Sequence, residues 1–185
     1  HHRPDPETPL EETMGTLADI VRQGKALYVG LSNYSKQEAE KAVLLLKDMG
    51  VHCLIEQPRY NMFERTPEDG LFKAMWEHGV GCICYSPLAQ GALTDKYLNG
   101  IPQGSRASRV GTTINDRYLS EEKLDQIRRL NEIAVSRNQS LAQMALAWVL
   151  REKAVTSVLI GASSVRQLEN SVQCLDHLEF SADEL

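Results

Sequence analysis

The residues of this chain predict an α/β fold built on a parallel sheet, and three observations carry that expectation. Short runs rich in β-branched and apolar residues alternate with segments whose apolar residues recur at helical spacing. The short runs are apolar throughout rather than at every second residue, which suits strands buried on both faces of a parallel sheet. Each ends, on its C-terminal side, in groups able to hydrogen-bond a ligand: Ser32-Asn33, Glu56-Gln57, Tyr85-Ser86 and Gly161-Ala162-Ser163.

The first helix is expected to start at Thr8-Pro9-Leu10-Glu11, where a hydroxyl can cap free amides and a side chain three residues on can reach back. Met14, Leu17 and Val21 form its apolar face, and a strand follows over 26–31. Ser35-Lys36-Gln37-Glu38 opens the second helix, which leads to a strand over 51–55. Thr66-Pro67-Glu68-Asp69 is a looser start with proline at the first helical position, ahead of a strand over 80–85. Ser120-Glu121-Glu122 puts negative charge where the helix dipole favours it, with Leu124, Ile127 and Leu130 on one face. Ser140-Leu141-Ala142-Gln143 begins a helix carrying Leu141, Met144, Ala145 and Trp148. A strand over 156–160 and a helix from Ser164-Val165-Arg166-Gln167 complete the pattern.

Such alternation implies right-handed βαβ units, in either an open doubly wound sheet or a closed barrel. Polar residues at every strand end favour the barrel, where all ends converge on one ligand. A (β/α)8 TIM barrel needs eight strands and roughly 250 residues. Residues 1–185 are therefore expected to be the C-terminal half of a single barrel domain, with the other half upstream. The chain starts without Met, directly before His1-His2-Arg3-Pro4-Asp5, which fits the middle of a protein; a tag remnant would also leave two histidines. Segment 86–118 breaks the short-loop rule, with Gly91, Gly100, Pro102, Gly104 and Gly111 among Lys96, Arg106, Arg109 and Arg117. A loop that long is expected to be functional or mobile.

With 42% hydrophobic and 24% charged residues the chain has material for one core. A net charge of −5 without a Lys/Arg-rich run argues against a nucleic-acid or anionic-lipid partner and for a small neutral or phosphorylated metabolite. The longest apolar runs, such as 43–46, cannot span a bilayer, and no charged-then-apolar leader opens the chain, so a cytoplasmic location is expected. Cys53, Cys82, Cys84 and Cys174 form no C-x-x-C pair and read as buried small hydrophobes. Two adjacent histidines point in different directions without a partner set, so no metal site is expected.

Five segments in order resemble the motifs of the aldo-keto reductase family: His2-Arg3-Pro4-Asp5 with Pro9-Leu10-Glu11-Glu12-Thr13, Gly30-Leu31-Ser32-Asn33-Tyr34, Gln57-Pro58-Arg59-Tyr60-Asn61, Tyr85-Ser86-Pro87-Leu88-Ala89-Gln90-Gly91 and Gly161-Ala162-Ser163-Ser164. The resemblance runs the whole length and is strongest to bacterial L-glyceraldehyde 3-phosphate reductases and the β subunits of voltage-gated potassium channels. It implies NADPH-dependent reduction of small aldehydes or ketones, triose phosphate and methylglyoxal-like substrates among them, by hydride transfer.

By the same resemblance His2 orients the substrate carbonyl, as a donor to the charge that develops there. The family's Asp, Tyr and Lys lie outside the matched segments, so the 185 residues alone are expected to be inactive. Ser32, Asn33 and Gln57 resemble the trio that bonds the nicotinamide carboxamide, and Tyr85 the ring on which the nicotinamide stacks. The backbone of Ser86, Pro87, Leu88, Ala89 and Gln90, with Lys96, matches a loop around the pyrophosphate, and Arg106 a cation for the adenosine end. Gly161, Ser163 and Gln167 match a turn that receives the adenosine 2′-phosphate at a helix N-terminus, favouring NADPH over NADH. Asn170 corresponds to the adenine contact, although the Glu169-Asn170 pair stands one position early for the family pattern. The other reading is an NADP-binding regulatory subunit like the channel β proteins; these typically have Asn where this chain has His2, which favours an enzyme. A half barrel has open strand edges, so self-association into a homo-oligomer is a further expectation.

Overall fold

In the computed structural model, which describes residues 1–185, the elements run α1 (Leu10–Arg22), β1 (Val29–Ser32), α2 (Lys36–Asp48), β2 (Cys53–Gln57), α3 (Leu71–Glu77), β3 (Gly81–Cys84), α4 (Ile114–Tyr118), α5 (Glu121–Ser136), α6 (Leu141–Leu150), β4 (Val155–Val158) and α7 (Val165–Val172). The strands form one parallel sheet in the order β1-β2-β3-β4. That is half of the eight strands of a (β/α)8 barrel. The chain divides into two compact units: His1–Tyr60 with Glu64–Tyr85 and Lys153–Val158, and Asn61–Phe63 with Ser86–Glu152 and Leu159–Leu185.

In the first unit α1, α2 and α3 pack on β1, β2 and β3 in turn. Val29, Leu31, Cys82 and Cys84 are buried, with Met14, Ala18, Ala39, Leu46 and Met75 from the helices. On the other face Gly30, Ile55 and Ile83 are only partly covered, so the strands are not buried on both sides as expected. A barrel interior is filled by side chains from strands on opposite sides, and four strands supply only one side. The strands also sit later or shorter than their apolar runs: Leu27 and Tyr28 stay exposed before β1, and Leu159 and Ile160 after β4. Gly30 is required where β1 meets β2, because a Cβ there would lie 2.6 Å from Ile55 Cγ1.

Two predicted helix starts form full capping boxes. Ser35 accepts the Glu38 amide at 3.3 Å while its own N–H reaches the Glu38 carboxylate at 2.9 Å. Ser140 accepts the Gln143 amide at 3.2 Å, and its N–H reaches Gln143 Oε1 at 2.7 Å. Ser120 and Ser164 cap α5 and α7 through the Lys123 and Gln167 amides. Two starts differ. Thr8 donates to Asp5 Oδ2 instead of capping, leaving Pro9 at the N-cap of α1. Thr66–Glu68 forms a separate 3₁₀ turn, and α3 begins at Leu71 after Gly70 in a left-handed conformation.

The second unit has its own core. Ala89, Ala92, Leu93, Tyr97, Ala107, Ile114 and Tyr118 from segment 86–118 pack with Ile127, Ala134, Leu141 and Met144 of α5 and α6. The glycine-rich segment is thus a folded wall with 3₁₀ turns and α4, rather than an irregular loop. Its apolar residues are too widely spaced for a helical or strand period to mark them. Arg137, between α5 and α6, is buried and anchors the C-terminal segment: it pairs with Glu184 at 2.7 Å, donates to the Glu179 carbonyl at 2.8 Å and stacks over Phe180. All four cysteines are free and buried, and no helix is long and apolar enough to cross a membrane.

Candidate active site

Residues opposite one another on neighbouring parallel strands point to the same side. Ser32 pairs with Gln57, on the partly open face with Gly30 and Ile55. Glu56 pairs with Leu31 and Cys82, on the helix-covered face. Thus of the two polar residues ending β2 only Gln57 lies on the partly open face; Glu56 is fully buried, with neither carboxyl oxygen hydrogen-bonded. Burial pushes the Glu56 carboxyl up to about 7. Burial likewise pushes the Tyr34 phenol up to about 12, with the Glu56 charge adding to it.

In the first unit Ser32, Asn33, Tyr85 and His2 join in one network. Ser32 Oγ donates to the Gln57 carbonyl at 2.7 Å. Asn33 sits at φ 61°, a left-handed conformation that asparagine tolerates. Its Nδ2 donates to the His2 carbonyl at 2.9 Å and to Ser32 Oγ at 3.0 Å. The Tyr85 hydroxyl donates to Asn33 Oδ1 at 2.6 Å, and Arg59 Nε donates to the same hydroxyl at 3.2 Å. The Gln57 amide makes no side-chain hydrogen bond and keeps both donor and acceptor for a ligand. Of the two histidines, the His1 ring is committed to the Tyr34 hydroxyl at 2.7 Å, whereas the exposed His2 is held through its backbone.

The second unit contains a cleft of about 860 Å³, lined by Ser86, Pro87, Leu88 and Gln90, by Lys96 and Arg106, and by Gly161, Arg166, Gln167 and Asn170. Ser86, Ala89 and Gln90 all have positive φ, of 55°, 47° and 60°. Non-glycine residues hold such angles where surrounding structure imposes them, often at ligand sites. Asn61 is one source of that constraint: it is fully buried, and its Nδ2 donates to the Ser86 carbonyl at 3.0 Å. Ala89 is buried away from the cleft and its amide is spent on the Ser86 carbonyl at 3.0 Å, while Pro87 has no N–H. The loop therefore offers fewer backbone donors than its five residues suggest.

Lys96 and Arg106 meet in this cleft with a third cation, Arg166, and none of the three has an anionic or hydrogen-bonding side-chain partner; Asp95 is the one acid in the lining. Ser163 differs from expectation, because its N–H and hydroxyl are both turned onto Gln167 Oε1 at 2.8 and 2.9 Å. Asn170 lines the cleft, with Oδ1 accepting from Ser140 Oγ at 3.2 Å. Its NH2 donors stay available despite the shifted Glu-Asn pair. Arg59, Asn61, Ser140 and Arg166 are residues of the site to which the sequence reading assigned no site role. Asn61 and Arg59 stood inside a recognised motif, but only contacts distant in sequence reveal their roles.

A family model, "Aldo/keto reductase family", matches residues 1–185. The chain belongs to the aldo/keto reductase family. It is 51% identical over 188 residues to the L-glyceraldehyde 3-phosphate reductase of Escherichia coli K12, covering 100% of this chain and 54% of that protein. It is 34% identical to a putative voltage-gated potassium channel subunit beta of Schizosaccharomyces pombe, over 96% of this chain and 53% of that one. Among solved structures, the glycerol dehydrogenase of Gluconobacter oxydans superposes with a TM-score of 0.76 at 24% identity, over 99% of this chain and 54% of that chain. This aldo/keto reductase chain thus spans about half the length of the relatives it matches, and its strands follow the barrel fold of that structure.

Proposed function

We propose that the full-length protein is an NADPH-dependent reductase of small aldehydes and ketones, with triose phosphates in its range. The carrying observation is the set of unpaired cations Lys96, Arg106 and Arg166 in a cleft that also presents the N-terminus of α7. Compact and forked cations with free amides suit a ligand bearing several phosphate groups. Taken by itself, the unit with the cleft has cations that suit a pyrophosphate and a 2′-phosphate; taken by itself, the other has Gln57, which suits a carboxamide, and Tyr85 as an aromatic surface. When bound, NADPH supplies the hydride. His2 would hydrogen-bond the carbonyl oxygen of a small substrate and stabilise the negative charge that develops on it. All four cysteines being unpaired agrees with a reducing, cytoplasmic setting.

Fluorescence titration of the full-length protein tests this reading. NADPH should bind roughly 10- to 100-fold more tightly than NADH, the effect of one or two charge-assisted contacts to the 2′-phosphate, and be oxidised on adding an aldehyde. Equal affinities would remove the NADPH assignment. Tight binding without turnover of any aldehyde would favour the regulatory-subunit reading, which the potassium channel relative also supports.

A further inference from the structure

Arg59 has no role in the reading above, yet it is the first link of the hydrogen-bonded chain that ends at His2. It follows β2 by two residues, and a parallel bridge joins it to Tyr85. The Tyr85 amide donates to the Pro58 carbonyl at 3.0 Å and the Tyr60 amide to the Tyr85 carbonyl at 3.3 Å. The Arg59 side chain then doubles back: Nε donates to the Tyr85 hydroxyl, the guanidinium carbon lies 5.2 Å from the ring centroid, and Nη1 faces Glu64 Oε1 at 3.5 Å.

Donor and acceptor capacities give this chain a direction. A guanidinium can only donate, so the Tyr85 oxygen accepts from Arg59 and its own proton must point elsewhere. The proton goes to Asn33 Oδ1, which makes Asn33 present its NH2 to the His2 carbonyl and to Ser32 Oγ. Were the donor at Tyr85 lost, the hydroxyl could turn its proton away and Asn33 could present either end of its amide. We infer that Arg59 is a positioning residue that, through the Tyr85 hydroxyl, sets the orientation of Asn33 and with it the placement of His2 and of the Tyr85 ring. This rests on the reductase reading, in which His2 and Tyr85 meet the substrate and the cofactor.

A double-mutant cycle in the full-length protein tests it, with kcat for aldehyde reduction, substrate KM and NADPH affinity measured for Arg59→Met, Tyr85→Phe and the pair. Arg59→Met should lower kcat about tenfold with substrate KM nearly unchanged, the scale of one charge-assisted hydrogen bond. It should have almost no further effect once Tyr85→Phe has removed the hydroxyl. Arg59→Lys, which keeps a donor, should restore part of the rate. Equal losses in the two backgrounds, or no loss at all, would overturn the role of Arg59 and leave the reductase reading standing. A full-length parent protein that reduces no aldehyde would overturn both. Should Arg59→Met fail to fold, the cycle is run with Arg59→Lys, whose loss must likewise vanish in the Tyr85→Phe background.

Discussion

Glu56 shows how one residue of register separates a ligand group from a buried charge. It stands beside Gln57 at the end of β2, but pairing with Leu31 and Cys82 turns it under the helices, where both carboxyl oxygens lack hydrogen bonds. Its folded value of about 7 lies above its ordinary 4.5, so the fold binds this proton more tightly than the unfolded chain does. The stability it contributes is therefore full below about 4.5, falls as pH rises towards 7 and is flat beyond. Glu56→Gln removes that loss. The stability advantage of the variant, from urea unfolding, should grow by roughly 3 kcal/mol between pH 4 and pH 8, on the scale of about 1.4 kcal/mol per pH unit over the interval between the two values. An advantage that does not change with pH would show that the carboxylate finds a partner. The sequence marks Glu56 as polar at a strand end; its burial depends on strands paired across the sheet.

At the scale of elements, the helix starts at Ser35, Ser120, Ser140 and Ser164 were legible because a cap and its amide lie within one turn. Those at Thr8 and Thr66 were not, because Asp5 competes for the first hydroxyl and Gly70 defers the helix after the second. The C-terminal segment has no periodic signal and is held from a distance by Arg137, whose side chain bonds Gln139, Glu184 and the Glu179 carbonyl. Removing a buried charged partner leaves these groups uncompensated, so Arg137→Met should cost about 3 kcal/mol in denaturant unfolding. Arg128→Met, which breaks an exposed pair with Asp125, should change little. Equal effects of the two substitutions would mean that the C-terminal segment is not anchored this way.

For the whole molecule, charge is organised against its own total. The chain carries a net −5, yet the cleft gathers Lys96, Arg106 and Arg166 against one acid. Cofactor binding to the full-length protein should weaken several-fold as salt rises from about 0.02 to about 0.5 M, because the Debye length shrinks well below the size of the ligand. The loss should be larger for NADPH than for NADH, whose charge is smaller, so the preference between them narrows. A preference unaffected by salt would mean that the 2′-phosphate is read by neutral hydrogen bonds, Gln167 and Ser163 foremost.

Local chemistry in the sequence determined the parallel α/β order, four of the helix caps, the polar strand ends and the five motifs that carry the family. These features depend on residues within a turn or a strand of one another, and such short-range preferences survive in any context that folds. Tertiary structure alone decided which face of β2 each residue takes, that segment 86–118 packs a core of its own, and that Arg59 reaches the Tyr85 hydroxyl. Each of these is set by groups distant in sequence, where burial and a complete account of donors and acceptors, rather than residue type, choose the partner.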